Sequence, residues 1–485
     1  MNTIPKNNLG YRLWKTLCRQ SWTLKYIGRK YHAKQFALCL FLTFIWMAAR
    51  AETGRGHLPR GYLIGQQVGV YNVSQYGAIS TAKEADILFG ALKGKLSAVE
   101  FEPLYYHDQD LRAARVVAGA ANRHGVELWS STFRLVSRLQ GFGRIPAEFQ
   151  ACVMETNGSI VPALDENGHP LFDVLNPEAV DQYLARYRVA YIQPMKGLLQ
   201  GIIFNEDVIP YQSRWKNERR PDYWRNATFS RRVLDLWKEY CRTNNIRHEG
   251  QLVAKFPVHQ PQMVTQGGGQ TQFFPGYLVP QTIVPGQAFV DLPRAQGVWK
   301  AWQEFLAEQF AANWIAKVAR AFHEVNAGNA RWHGALYFGL HQWSLPYEQI
   351  LDQQFCVPKS HRWGAWGLQR GCDLERIARL PEIDVVVCET YPPIRANLEN
   401  FIAEFSRITR AAGKQFGLML HRDDDWPLGG RDSESDRWAV IRKYNPTVIE
   451  RFPIRRMLSN DKSYQPEQEK IFQREWENYR CLASP

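Results

Sequence analysis

The sequence predicts an α/β protein that closes as a (β/α)8 TIM barrel with long loop insertions, and three observations carry that expectation. Short apolar runs of strand length alternate with longer runs of helical periodicity, the pattern of a parallel sheet wrapped by helices. The alternation yields eight strand-like runs, the number a closed parallel barrel needs. Carboxylates, imidazoles and aromatic residues gather at the C-terminal ends of those runs, the end at which such barrels carry their sites.

The chain has 485 residues, long enough to bury one large barrel core. An apolar content of 45% with 13% aromatic residues argues against disorder. The formal charge of +13 suggests nucleic acid until its location is considered. Residues 1–51 hold nine Lys and Arg and no acid, and removing those nine leaves +4 for residues 52–485. The basicity therefore belongs to the leader, and no nucleic-acid partner is expected.

That leader has a basic stretch, an apolar run over Phe36–Ala49, and Ala49-Arg50-Ala51 as a small-residue cleavage pattern. The run's fourteen residues fall short of the roughly 20 a membrane helix needs. Residues 1–51 are expected to be a signal peptide, or alternatively an N-terminal membrane anchor. Residues 52–485 then form a barrel that is secreted or periplasmic, touching a membrane only through an uncleaved leader.

The elements are expected in the following order. A strand near Tyr62–Tyr71 precedes a helix at Thr81–Leu92. The strand Leu96–Tyr105 sets Glu100 and Glu102 on one face and Val99 and Phe101 on the other. A helix at Leu111–His124 stops at Gly125, a C′ residue, before the third strand, Val126–Phe133. Residues 134–174 read as an irregular connection. Asn176 caps a helix from Pro177 to Tyr191, with proline in the first turn. The fourth strand, Leu199–Asn205, rises through Gly201-Ile202-Ile203-Phe204 to Asn205-Glu206 and breaks at Pro210.

A helix at Ser230–Asn244 is followed by a Pro- and Gly-rich excursion over residues 246–297, expected as a loop that rims or covers the site. Trp299, Trp302, Leu306, Phe310, Trp314, Val318, Phe322 and Val325 recur at spacings of three and four, a helix whose aromatic stripe packs into the core. The fifth strand is Gly334–Leu340. A short helix at Leu374–Leu380 leads to the sixth, Ile383–Cys388. A helix at Asn397–Ala412 and the seventh strand, Gln415–Leu420, come next. Glu434–Tyr444, an eighth strand at Thr447–Phe452 and a closing helix at Glu467–Tyr479 complete the series.

Six of the eight cysteines follow the leader. In an oxidising compartment Cys356 and Cys372 are placed to staple one loop, while Cys388, inside an apolar run, is expected as a buried thiol. No zinc-type spacing of Cys or His occurs, so no metal or cofactor is expected. The Gly267–Gly269 run does not open a helix, which removes a phosphate cradle, and no G-x-S-x-G turn is present.

The strand ends together offer Glu102, Tyr105 and His107; Trp129; Asn205 and Glu206; His341 and Trp343; Glu389 and Tyr391; and His421, Arg422 and Asp423. Carboxylates among aromatic residues and imidazoles suit a sugar: acids move protons and stabilise an oxocarbenium ion, aromatic faces stack on C–H groups, and polar side chains bond hydroxyls.

On these residues the chain resembles the clan-A glycoside hydrolases, most nearly the family of β-galactosidases numbered 42, over about residues 60–455. Gly201–Glu206 resembles the clan's fourth-strand Asn-Glu, Trp299–Val325 running into Gly334–Leu340 its long helix and fifth strand, Asp384–Pro392 its sixth-strand run ending in Tyr-Pro, and Lys414–Leu420 the start of its seventh strand. The resemblance implies Glu206 as acid/base, Asn205 on the sugar 2-hydroxyl, and a retaining mechanism on an oligo- or polysaccharide. Where the clan has a nucleophilic Glu, this chain has His421-Arg422-Asp423-Asp424-Asp425. Glu389 or one of Asp423–Asp425 then attacks, or the standard mechanism is lost. The alternatives are a non-catalytic carbohydrate-binding barrel and a membrane-tethered scaffold.

Overall fold

The computed structural model describes residues 57–69, 81–102, 108–132, 145–154, 160–162, 170–205, 230–257, 260–265, 271–278, 289–290, 296–339, 373–390, 396–420 and 434–451. The chain divides into two units, Met1–Arg55 and Gly56–Pro485. The leader, the Cys356–Cys372 loop and the closing helix expected at Glu467–Tyr479 lie outside the described residues.

Eight strands form the second unit's centre: β1 (Tyr62–Gly69), β2 (Ala98–Glu102), β3 (Glu127–Ser131), β4 (Gly201–Asn205), β5 (Gly334–Gly339), β6 (Val385–Thr390), β7 (Gln415–Leu420) and β8 (Val448–Arg451). Each pairs in parallel with the next, and β8 pairs back onto β1, closing the barrel. All eight coincide with the runs the sequence marks.

The connections carry α1 (Ala82–Leu92), α2 (Asp108–His124), α3 (Pro177–Tyr187), α4 (Arg231–Thr243), α5 (Gln296–Gln309), α6 (Lys317–Val325), α7 (Leu374–Ala378), α8 (Ala396–Ala411) and α9 (Glu434–Tyr444). Local chemistry sets their ends. Thr81 and Glu84 cap α1 reciprocally, each side chain bonding the other's backbone N–H, at 3.2 and 3.1 Å. Gly125 follows α2 at φ 72°, the left-handed turn a C′ glycine permits. Asn176 accepts from the N–H groups of Glu178 and Ala179, with Pro177 in the first turn of α3.

Two helical segments depart from α geometry. α3 continues as a π turn over Arg188–Ile192, and α5 joins α6 through a π segment over Phe310–Ala316. The two runs pack through aromatic pairs, Tyr183 with Trp314 at 5.8 Å and Tyr187 with Phe322 at 6.0 Å between ring centroids. The stripe predicted from spacing is buried at Trp302, Phe310, Trp314, Val318 and Phe322. Asn313, the buried polar member of the π segment, donates to Gln309 and to the Leu175 carbonyl.

The connections expected as irregular are more ordered. Cys152–Met154 pairs with Ile160–Pro162 in the third connection. Within residues 246–297, Arg247–His248 pairs with Gln251–Leu252, Phe256–Pro257 with Phe289–Val290, and Gln260–Thr265 with Thr271–Leu278. The Gly267–Gly269 run lies outside the described residues.

The apolar core lies in two zones. Leu63, Val99, Phe101, Leu128, Ile202, Phe204, Tyr337, Val386 and Leu418 pack outward against the helices. Tyr62, Ile64, Ala98, Trp129, Ile203, Leu336, Phe338, Val385, Val387, Met419 and Val448 pack together inside the barrel. This alternation is the period-2 signature of barrel strands.

Following the register around the barrel, with an advance of two residues every second strand, returns to the starting residue after one circuit. The interior positions thereby fall into layers. From the base upward these are Tyr62, Glu127, Gly334 and Gln415; Ala98, Gly201, Val385 and Val448; Ile64, Trp129, Leu336 and Gly417; Glu100, Ile203, Val387 and Glu450; Ser131, Phe338 and Met419; and, at the mouth, Glu102, Asn205 and Glu389. One strand breaks the regular ladder. Gly65 pairs with Val99 and Val68 with Phe101, so Gln66 and Gln67 both stand opposite Glu100 in a β-bulge.

Candidate functional site

The mouth is set by where the strands stop. β2 ends at Glu102 and β4 at Asn205, while Glu389 is the penultimate residue of β6. Their register positions share the top layer, so three residues far apart in sequence occupy one level of the barrel. Thr132 extends the pairing of β3 beyond its last strand residue, its N–H and hydroxyl both donating to the Ile203 carbonyl at 2.9 and 3.0 Å. Tyr105, His107, Glu206, His341, Trp343, Tyr391, His421, Arg422 and Asp423 lie outside the described residues.

Trp129 occupies a different place from the one expected of it. It lies inside the barrel, 0% exposed, three layers below the mouth. Its indole N–H donates to the Tyr62 hydroxyl at 3.0 Å, and its ring stacks on His333 at 6.3 Å between centroids. A Cβ on Gly201 would stand 2.3 Å from that ring, so the glycine provides the room the indole occupies. Trp129 thus packs the interior and offers no exposed face on which a sugar would stack.

Beneath Trp129 the base is closed by a polar tie. The Tyr62 hydroxyl donates to Glu127, and His333 Nε2 lies 3.0 Å from the same carboxylate. Burial, then the Glu127 charge, pushes the Tyr62 hydroxyl well above the ordinary tyrosine range, so it stays a donor. Gln415 exchanges two hydrogen bonds with the Leu58 backbone, at 3.1 and 2.9 Å, drawing the segment before β1 across the base.

Sequence reasoning passed over two acids. Glu100 is 1% exposed, inside the barrel one even-strand layer below Glu102, and the only sequence signal was its sharing a strand face with Glu102. Asp173, wholly buried before α3, accepts from the Ser230 hydroxyl at 2.6 Å and from the Leu175 N–H at 3.0 Å. Burial pushes its carboxyl up to about 6, and these hydrogen bonds partly oppose the shift. Ser230 also caps α4 through the Val233 N–H. Asp173 therefore joins the starts of α3 and α4, the helices that follow β3 and β4.

Cys152 and Cys241 are free thiols, and Cys388 is buried as expected. Burial raises the Cys152 thiol to about 11, with Asp173 adding to the shift, and raises Cys241 to about 12. Both are inert thiols at neutral pH rather than nucleophiles. Among the described residues no group of three or more His, Cys, Asp or Glu is placed to hold a metal ion. No helix among them is long and apolar enough to cross a membrane.

The closed parallel barrel makes this a (β/α)8 protein. Its fold is similar to the catalytic domain of β-amylase from Paenibacillus polymyxa, with a TM-score of 0.53 at 12% identity, covering 86% of this chain and 98% of that one. It is also similar to the PgaB (BpsB) glycoside hydrolase domain from Bordetella bronchiseptica, with a TM-score of 0.44 at 12% identity over 88% of this chain and 98% of that one. The endo-β-1,4-mannanase from Thermotoga petrophila gives a TM-score of 0.41 at 7% identity over 88% and 78%. No family model and no curated protein matches the chain.

Proposed function

We propose that this chain is an exported glycoside hydrolase acting on an oligo- or polysaccharide by a two-carboxylate, retaining mechanism. The observation that supports the reading is that Glu102, Asn205 and Glu389, on three separate strands, share the top register layer of the barrel. Glu206, the residue after Asn205, protonates the leaving oxygen. Glu389 attacks the anomeric carbon, and Asn205 bonds the sugar 2-hydroxyl. An Asp of Asp423–Asp425 is the alternative nucleophile. The resemblance to family 42 and the fold shared with a β-amylase catalytic domain support a carbohydrate substrate at the level of fold.

The test is turnover of aryl glycosides and extracted polysaccharides by the full chain beside Glu206→Gln and Glu389→Gln. Both variants are expected to lose a factor on the order of 10³ or more in kcat. Loss in Glu206→Gln alone moves the nucleophile to Asp423–Asp425. Export predicts a mature N-terminus at Glu52, checked by mass spectrometry of the protein recovered outside the cytoplasm. A full-length N-terminus there favours the anchor.

The second reading is a non-catalytic carbohydrate-binding barrel. It is favoured by β7, which stops at Leu420 and is followed by His421 and Arg422 instead of a Glu. Glycan binding without turnover of any substrate selects it.

A further inference from the structure

We propose that Asp173 is a pH-sensitive latch: while it holds its proton it keeps the starts of α3 and α4 joined at the mouth face of the barrel, and once the proton is lost the two part more readily. The latch does not depend on the reaction assigned above. In a (β/α)8 barrel each helix begins at the face where the preceding strand ends, so this joint lies at the end of the barrel where β4 delivers Asn205. Asp173 is 0% exposed. One carboxyl oxygen accepts from the Leu175 N–H at 3.0 Å, just ahead of α3, and the other from the hydroxyl of Ser230, the cap of α4, at 2.6 Å. The Asp173 N–H donates to the Phe149 carbonyl at 2.9 Å, and Asn176, the cap of α3, donates to the Glu148 carbonyl at 3.1 Å. A single carboxyl thus gathers three stretches of chain, residues 147–149 and the starts of two helices.

The surroundings make this joint respond to protons. Burial pushes the carboxyl up to about 6, and the bonds from Ser230, Leu175 and Asn176 oppose the shift only in part. The ionisable group facing it from the neighbouring hairpin is the Cys152 thiol, neutral at working pH and itself pushed up to about 11. The charged groups on the other elements that meet there are engaged or exposed: Arg232 on α4 grips Glu178 on α3, Lys317 on α6 binds Asp181 at 2.6 Å, and Glu148 and Arg231 are exposed. The Glu178–Arg232 pair ties the same two helix starts at the surface. Arg232 holds the Glu178 carboxyl below its usual range, so the outer link keeps its charge while the buried one changes. Opening the joint to water returns Asp173 to its ordinary 3.8, so the closed form binds the proton more tightly than the open one. Closure therefore weakens as pH rises from 3.8 through about 6.

The test is amide hydrogen exchange of the full chain between pH 4 and 7, each rate divided by the intrinsic chemical rate at that pH, beside Asp173→Asn. In the parent, opening at Leu175–Val180 and Ser230–Leu234 is expected to rise by about fifty-fold across that range, while amides of β2 and β3 stay unchanged. Asp173→Asn, which cannot ionise, should show no rise at either helix start. A flat parent profile overturns the latch, as does the same rise in Asp173→Asn. An equal rise at β2 and β3 assigns the effect to unfolding of the whole barrel and overturns it too. Ser230→Ala supplies a second variant should Asp173→Asn fail to fold: it removes the link but leaves the carboxyl, so both helix starts should open more than in the parent at pH 4. Opening no greater than the parent's there rejects the Asp173–Ser230 bond as the latch.

Discussion

Asp173 shows how a single buried group ties stability to pH. Its folded value of about 6 lies above the ordinary 3.8, so folding takes up a proton between them. The stability it contributes is fully present below the unfolded value and is lost as pH rises through the folded one. Asp173→Asn is expected to remove that dependence. The stability difference between the parent and this variant should change by on the order of 2–3 kcal/mol between about pH 3.5 and 7, read from denaturant midpoints. An equal difference at both pH values would show that the carboxyl does not titrate there. Gly201 gives a steric counterpart. Gly201→Ala sets a methyl 2.3 Å from the Trp129 ring. It should cost about 1–3 kcal/mol, with Trp129→Phe recovering part of that loss in the double variant.

At the scale of elements, most of the fold was legible because local chemistry and tertiary packing agree. Asn176-Pro177 announces α3 by capping chemistry that the structure repeats atom for atom. Asn176→Ala should therefore cost about 1 kcal/mol in thermal or denaturant unfolding, and Asn176→Asp much less. The barrel strands stood out because apolar runs buried on both faces resemble little else. What sequence did not reveal were features that depend on non-local partners. The π segments keep helical spacing, so Phe310–Ala316 reads like any other helical turn. The strands inside residues 246–297 are held by partners up to some thirty residues away, as in Phe256 with Phe289. At the mouth, the strand runs located Glu102, Asn205 and Glu389 at the ends of β2, β4 and β6. Trp129 misled because residues on one interior strand face occupy successive layers, and the sequence does not show that Trp129 stands three layers below the mouth. The burial of Glu100 required knowing how deeply β2 sits in the barrel.

The molecule as a whole is fastened at its base by one carboxylate. Glu127 on β3 joins Tyr62 on β1 to His333 at the start of β5, so three alternate strands share an acceptor. Glu127→Ala leaves both partners without that acceptor and should cost about 2–3 kcal/mol, while Glu127→Gln, which keeps an oxygen, should cost less. Circular dichroism melts of the two variants would separate lost hydrogen bonding from lost packing. Closure of β8 onto β1 has a further effect, on association between molecules. A sheet joined end to end presents no unpaired row of backbone donors and acceptors to a neighbouring chain. Among the described residues, such rows remain in the small two-stranded sheets, of which Gln260–Thr265 with Thr271–Leu278 is the longest. Strand exchange or fibrillar self-association of the folded protein would therefore begin on that hairpin, and the barrel would take part only after its β1–β8 seam had opened.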